Sequence, residues 1–298
     1  MLPLVSIITI NYNETALTCE LLKSIEQINY PNYEVLVIDN ASVSKPLLIN
    51  NLYPSVKLIL SKQNLGFAGG NNLGIEQAQG EYLFFVNNDT ILKPNCLKLL
   101  VEYMQTLPNV GAISPKICDY EAPHLLQYAG SRPMNFYTAR NSTIGYGEQD
   151  KGQYNQIQKT PYAHGAAMMV SRKVIEKVGK MPEHFFLYYE ELDWCEQIRK
   201  KGFSIFFVPN VTVYHKESAS VGKQTAQKAY YLTRNRILFM LRNANFFQLF
   251  VFLFFFLCIS IPKNIIYYLL QKQNRHLRAF MAGIQWHFKT EKPLKYEY

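Results

Sequence analysis

The sequence predicts an α/β fold: a mostly parallel sheet flanked by helices, followed by a basic helical region at the C-terminal end. Three observations predict it. Over the first 117 residues, short β-branched runs alternate with stretches of helical period. Such alternation makes strand–helix–strand units, whose parallel strands are buried on both faces. Each strand pattern is followed at once by Asn, Asp or Gly, so polar residues gather at the carboxyl ends of the strands, where open α/β sheets bind ligands. Finally, charge is unevenly placed. Of the formal net charge of +9, residues 1–215 hold 18 basic and 19 acidic residues, whereas residues 216–298 hold 13 basic and three acidic.

The elements follow in order. Val5–Asn11, Tyr33–Asp39, Val56–Leu60, Tyr82–Val86 and Val110–Ile113 read as buried strands. Between them Leu17, Leu21, Leu22 and Ile25 share one helical face, and Leu97, Leu100, Val101 and Met104 another. Residues 118–160 lose periodicity and collect Gly, Pro, Tyr and Asn, the composition of a long binding excursion. Gly165–Val170 reads as a strand followed by a short helix, and a helix after Asp193 ends at Gly202. Ser204–Val208 and Val211–His215 read as a last strand pair, with a helix from about Lys223. Phe246–Ile261 is apolar over 16 residues and holds seven phenylalanines before Pro262 interrupts it. A straight membrane span needs about 20 such residues, so this run is expected to lie in the interface or re-enter.

Composition excludes several classes. Hydrophobic residues at 48% and a mean hydropathy of −0.11 rule out disordered, collagen-like and mucin-like chains. The five cysteines are odd in number and none lies in a CxxC, so neither a disulfide framework nor a thiolate zinc site is expected. The start MLPLVSIITINYN reads as a strand rather than a signal peptide, which places the protein in the cytoplasm or on its membrane face. The C-terminal cations flank a Phe-rich run, a pattern suited to an anionic lipid surface rather than to nucleic acid.

Four polar groups carry candidate chemistry. Asn87-Asn88-Asp89 closes a buried strand; its carboxylate can ligate a divalent cation bridging a diphosphate, or can cap the turn that follows. In Asn64–Asn72, Gly66, Gly69 and Gly70 allow close backbone approach at an expected helix N-terminus, but the order G-x-x-G-G disfavours dinucleotide binding. Glu190, Glu191 and Asp193 follow an aromatic run; they can supply a general base of raised pKa, or simply favour the start of a helix dipole. His215 ends a strand before Lys216, Ser218 and Ser220; it can bind a metal beside a phosphate clamp, or be structural.

Taken in this order, these motifs resemble glycosyltransferase family 2 proteins of GT-A fold, above all their rhamnosyltransferase branch, from Val5 to about Arg236. The resemblance implies a GT-A catalytic domain over residues 1–222, with a nucleotide-sugar half (1–117) and an acceptor half (118–222), then a membrane-associating region (223–298). It implies that Thr9, Asn11, Asn13, Asp39, Asn64, Gly66, Gly69, Gly70, Asn71, Asn87, Asn88 and Asp89 surround the nucleotide-sugar. Asn87-Asn88-Asp89 matches the family's DxD element with Asn in the first place. Asp89 would hold Mg or Mn, and His215 would complete the metal shell. Glu190-Glu191-Leu192-Asp193 is similar to E-D-x-D, which implies Glu191 as the base, with Glu190 and Asp193 as alternatives. The basic stretch Tyr230–Arg236 also matches, without an implied role. The expected activity is inverting, metal-dependent transfer from a nucleotide-diphospho-sugar, dTDP-rhamnose favoured, to a lipid-linked glycan. A nucleotide-sugar-binding protein without transfer is the alternative, with a nucleic-acid-binding protein the weaker third reading.

Overall fold

A computed structural model describes residues 1–216 and 225–290. Its sheet is built from β1 (Val5–Asn11), β2 (Tyr33–Asp39), β3 (Lys57–Leu60), β4 (Tyr82–Val86), β5 (Thr90–Leu92), β6 (Val110–Asp119), β7 (Leu126–Tyr128), β8 (Gln158–Lys159), β9 (Ala167–Ser171) and β10 (Ser204–His215). The spatial order is β3-β2-β1-β4-β9-β6-β10-β5, with β7 on β6 and β8 on β10. The β3-β2-β1-β4 half is parallel, in keeping with its strand–helix alternation. The other half is mixed, because β9 inserts antiparallel between β4 and β6, and β5 runs antiparallel to β10.

Alternate residues of each strand feed opposite cores. Val5, Ile7, Val35, Val37 and Phe84 face one core, packed by α1 (Thr15–Ile25) and, further along the sheet, α4 (Cys96–Thr106). Ile8, Leu36, Ile38, Leu83 and Phe85 face the other, under α3 (Gly66–Gln77). The short helix α2 (Leu47–Leu52) adds Ile49 to the first core, while α5 (Arg172–Val178) adds Val174 and Ile175, and α6 (Glu190–Lys200) Trp194, Cys195 and Ile198, to the second.

Two details depart from expectation. Ser204–His215 is one bent strand rather than a pair: its register against β6 shifts between Val208 and Thr212, where Pro209 has no N–H to contribute. Pro262 also fails to end the apolar helix. The segments α8 (Phe246–Phe255) and α9 (Ile261–Leu270) are joined by a π-helical turn, Phe256–Ser260, into one apolar helix of 25 residues. The wider turn accommodates the carbonyl that proline cannot satisfy, and Asn264 Nδ2 donates to the Ser260 carbonyl at 2.7 Å. At 1.5 Å per residue the helix is roughly 37 Å long, so length and composition allow it to cross a bilayer.

That helix is not free-standing. Phe252, Phe256 and Ser260 are buried against the body, while Phe246, Phe250, Phe254 and Leu257 are exposed. Beneath it α7 (Ala226–Asn243) buries Tyr231, Arg234, Asn235 and Phe239, and α10 (Asn274–Gln285) packs on α7. The expected division at residue 222 falls in 217–224, outside the described residues.

Candidate active site

The carboxyl ends of the parallel strands open onto a cavity of about 600 Å³. Ile10, Tyr12, Asn40, Asn64, Gly66, Phe67 and Asn71 form one wall, and Asn87, Asn88, Asp89 and His215 the floor. Ser131, Asn141, Thr143 and Tyr146 of the 118–160 excursion face Phe186–Leu192 across it.

The sequence candidates divide between lining and support. Asn11 and Asp39 do not line the cavity. Asn11 Nδ2 donates to Asp39 Oδ1 at 2.8 Å, and Asp39 is further held by the Ser42 hydroxyl at 2.5 Å and amide at 3.2 Å. The chain continues from Asn88 Nδ2 to the Thr18 hydroxyl at 3.1 Å and from that hydroxyl to Asn11 Oδ1 at 2.7 Å, tying the floor to β1. Thr9, expected at the nucleotide, is buried in β1 with a hydroxyl that finds no partner. Asn13 is exposed and accepts from the Val43 amide, away from the cavity. Asn40, one of the polar residues after the second strand but not among the expected nucleotide-sugar ligands, lines it instead and locks the 64–66 turn through Asn64 and the Gly66 carbonyl.

The glycines also act differently than expected. Gly69 and Gly70 lie inside α3 rather than at its start; a Cβ on Gly70 would come 2.8 Å from Ile10 Cδ1, so the requirement is close packing of helix on sheet. Gly66 has φ +73°, and a Cβ there would lie 2.2 Å from the Phe186 carbonyl oxygen. That carbonyl accepts from the Phe67 amide at 2.7 Å, so Gly66 joins the turn after β3 directly to the segment carrying the acids.

At the floor, His215 Nδ1 lies 2.7 Å from Gln127 Oε1. Gln127 donates its own amide to Asp119 and to the His215 carbonyl, which orients Oε1 as the acceptor and puts the imidazole proton on Nδ1. The lone pair of Nε2 therefore faces Asp89 Oδ1 at 3.2 Å. Oδ1 is buried and has no hydrogen-bond donor. Two facing acceptors call for a cation between them, either a proton on the ring or a metal, so the pair fits a divalent ion. Among the described residues no cluster of three or more His, Cys, Asp or Glu could hold a metal, which leaves diphosphate and water oxygens to fill its shell. Lys216 is engaged by Glu20, while Ser218 and Ser220 lie outside the described residues.

His164 is a site residue that sequence reading missed. It lines the cavity beside His215, and burial with that neighbour pushes its pKa down to about 3. Its Nδ1 accepts the Ala166 amide at 3.1 Å, so the neutral ring carries its proton on Nε2. Nothing local in the sequence distinguishes it.

The acids sit at the start of α6, after a strained turn. Phe186, Tyr188 and Tyr189 have φ of 64°, 67° and 74°. Non-glycine residues there cost of order 1–3 kcal/mol each. The turn is held from α7: Arg234 donates to the His184 and Phe185 carbonyls, and Asn235 to those of Phe185, Leu187 and Tyr188 at 2.9, 2.7 and 2.8 Å. Glu190 and Glu191 both line the cavity. Burial raises both carboxyls, and Glu190, 3% exposed with an unpartnered Oε2, is raised further by Glu191. Asp193, an alternative acid by motif, is turned away: it is fully buried and bound by Arg242 at 3.1 and 3.2 Å and Asn243 at 2.6 Å.

This edge, with its metal-fitting pair facing a carboxyl pair, agrees with the comparisons. The family model "Glycosyl transferase family 2" matches residues 6–179. The chain belongs to glycosyltransferase family 2. It is 28% identical over 247 residues to the low-salt glycan biosynthesis hexosyltransferase Agl10 of Haloferax volcanii, covering 80% of this chain and 76% of that protein. It is 24% identical over 213 residues to an N-acetylglucosaminyl-diphospho-decaprenol L-rhamnosyltransferase of Mycobacterium tuberculosis, covering 64% and 69%. Among solved structures, the mannosyltransferase PcManGT of Pyrobaculum calidifontis, in complex with GDP-Man and Mn2+, superposes with a TM-score of 0.59 at 17% identity over 98% of this chain and 89% of that one. The family 2 transferase described here therefore has a GT-A fold and is a nucleotide-sugar transferase.

Proposed function

We propose that this transferase moves a sugar with inversion from a nucleotide-diphospho-sugar, dTDP-rhamnose favoured, to a lipid-linked glycan at the cytoplasmic face of a membrane. The observation that carries the reading is that Glu190–Glu191 and Asp89–His215 line one cavity. Glu191, more open than Glu190, accepts the proton of the acceptor hydroxyl. That oxygen bonds to the anomeric carbon as the bond to the diphosphate oxygen breaks on the opposite face, and its electron pair leaves with the nucleoside diphosphate. Held by Asp89 Oδ1 and His215 Nε2, a Mg or Mn ion would neutralise charge on that diphosphate. His164 offers an uncharged Nε2–H donor to the same space.

The donor and acceptor readings draw support from the names of the Mycobacterium and Haloferax relatives. The membrane reading draws support from the apolar face Phe246, Phe250, Phe254 and Leu257, beside Lys263, Lys272, Arg275 and Arg278. Because Phe252, Phe256 and Ser260 are packed on the body, lying in the interface suits this helix better than leaving the body to span.

Glu191→Gln in the full chain tests the assignment: transfer should be lost with donor affinity near wild type. Near-normal turnover would remove Glu191 from the role. A thermal-shift screen of dTDP-, UDP- and GDP-sugars with Mn or Mg identifies the donor.

A further inference from the structure

Residues 131–143 fold back on themselves, with Ser131 bridged to Thr143 and Asn135 to Arg140. The base of this hairpin walls the cavity through Ser131, Asn141 and Thr143. Its tip reaches the apolar helix: the Tyr137 ring is 6.3 Å from that of Phe247, and the Arg140 guanidinium lies 5.7 Å from the Phe255 ring. Arg236 arrives at the same place from α7. Its guanidinium lies 5.8 and 5.5 Å from the Phe252 and Phe256 rings and donates to the Thr138 carbonyl.

Two arginines thus share one short stretch of aromatic helix. Among the described residues neither forms an ion pair with a carboxylate. The Nε of Arg236 is buried with no acceptor. Cations drawn together without an anion, one with an unused buried donor, carry a cost that an anionic ligand would relieve. Aromatic side chains on one side exclude water and strengthen any charge pairing made there. Arg140 is exposed, and the next residue, Asn141, lines the cavity.

We propose that Arg140 and Arg236 form a subsite for a lipid-linked phosphate or diphosphate. Its sugar end would enter the cavity past Asn141, and its hydrocarbon end would follow the exposed face of Phe246–Leu270. The inference rests on the membrane-acceptor reading above and names the group by which that acceptor is held. Guanidinium forks match phosphate oxygens in pairs, which a single ammonium does not reproduce.

The test uses the full chain and three vesicle types: phosphatidylcholine alone, with added farnesyl diphosphate, and with phosphatidylglycerol at matched surface charge. The wild type should prefer the diphosphate vesicles to the phosphatidylglycerol vesicles, and excess inorganic diphosphate should abolish that preference. Arg140→Gln, at an exposed position that leaves the core intact, should reduce binding to the diphosphate vesicles on the order of tenfold. Its binding to the other two vesicles should not change. Arg236→Lys, which keeps charge but loses the fork, should give a smaller loss of the same kind. Equal diphosphate preference in Arg140→Gln, or equal loss on phosphatidylglycerol vesicles, would overturn the subsite. Glu191→Gln run alongside separates the two claims. Glu191 lines the cavity and is not at the arginine pair, so this variant should keep the vesicle preference even if the base assignment fails, leaving the subsite to the Arg140→Gln result; a preference lost in Glu191→Gln would overturn the subsite.

Discussion

Replacing Asn235 by alanine isolates what α7 does for the turn that presents the acids. Asn235 is fully buried; its Nδ2 reaches three carbonyls and its Oδ1 accepts from Arg234 Nε at 2.7 Å. Alanine removes the donor from the half-buried Leu187 and Tyr188 carbonyls and one of two donors from the buried Phe185 carbonyl, and it takes the acceptor from the buried Arg234 Nε. With each buried group left unpaired costing about 1–3 kcal/mol and partial relaxation, the loss should be about 3–5 kcal/mol. Much of it should appear locally, because Asn235 holds the carbonyls that flank the left-handed residues, and their strained conformations relax once that hold is lost. Urea unfolding gives the global loss, amide exchange at Phe186–Glu191 gives the local one, and nucleoside diphosphate release gives turnover. Turnover should fall further than donor affinity, since the donor wall is built on β1–β4 and the acids are not. A variant within about 0.5 kcal/mol of wild type, with unchanged exchange and turnover, would refute the idea that α7 holds this turn.

Three further outcomes follow from the same geometry. Gly66→Ala places a methyl against the Phe186 carbonyl at positive φ, so it should destabilise by at least about 2 kcal/mol in urea unfolding; a neutral result would deny the close approach. Burial raises both Glu190 and Glu191, and the Glu191 charge raises Glu190 further, so the folded state holds protons that the unfolded state releases. Stability should therefore fall as pH climbs from the ordinary carboxylate range through the raised values and then level off. The acidic limb of kcat, set by the buried Glu191 carboxyl, should lie above that range; a limb inside the ordinary carboxylate range would take Glu191 out of the role of base. Asp89→Asn should abolish the Mn-dependent rise in Tm seen with nucleoside diphosphate, and an undiminished rise would take Asp89 out of the metal shell.

Much of the fold was legible because its signals are local. Val5–Asn11, Tyr33–Asp39 and Tyr82–Val86 are short apolar runs that match their strands residue for residue. Polar residues after each strand mark the site edge, and Asn64, Asn87, Asn88, Asp89, Glu190, Glu191 and His215 all line the cavity. Pattern alone could not tell lining from support. Asp39 and Asn11 are polar residues at the right edge that satisfy one another beneath the surface. Pro262 misled in a different way, since a proline breaks a regular α-turn but a π-turn before it restores the helix.

By itself the sequence determined the order of β1 to β4, the polar edge, the family motifs and the basic, Phe-rich end. Those depend on composition and periodicity within a few residues of one another. The tertiary structure alone decided which nitrogen of His215 faces Asp89, because Gln127, 88 positions away, sets it. It also decided that Gly66 yields to Phe186, that Arg234 and Asn235 grip the turn about 50 positions earlier, and that Arg140 and Arg236 meet over one aromatic helix. Contacts of that range are made only when the sheet and its helices close, so no local pattern announces them.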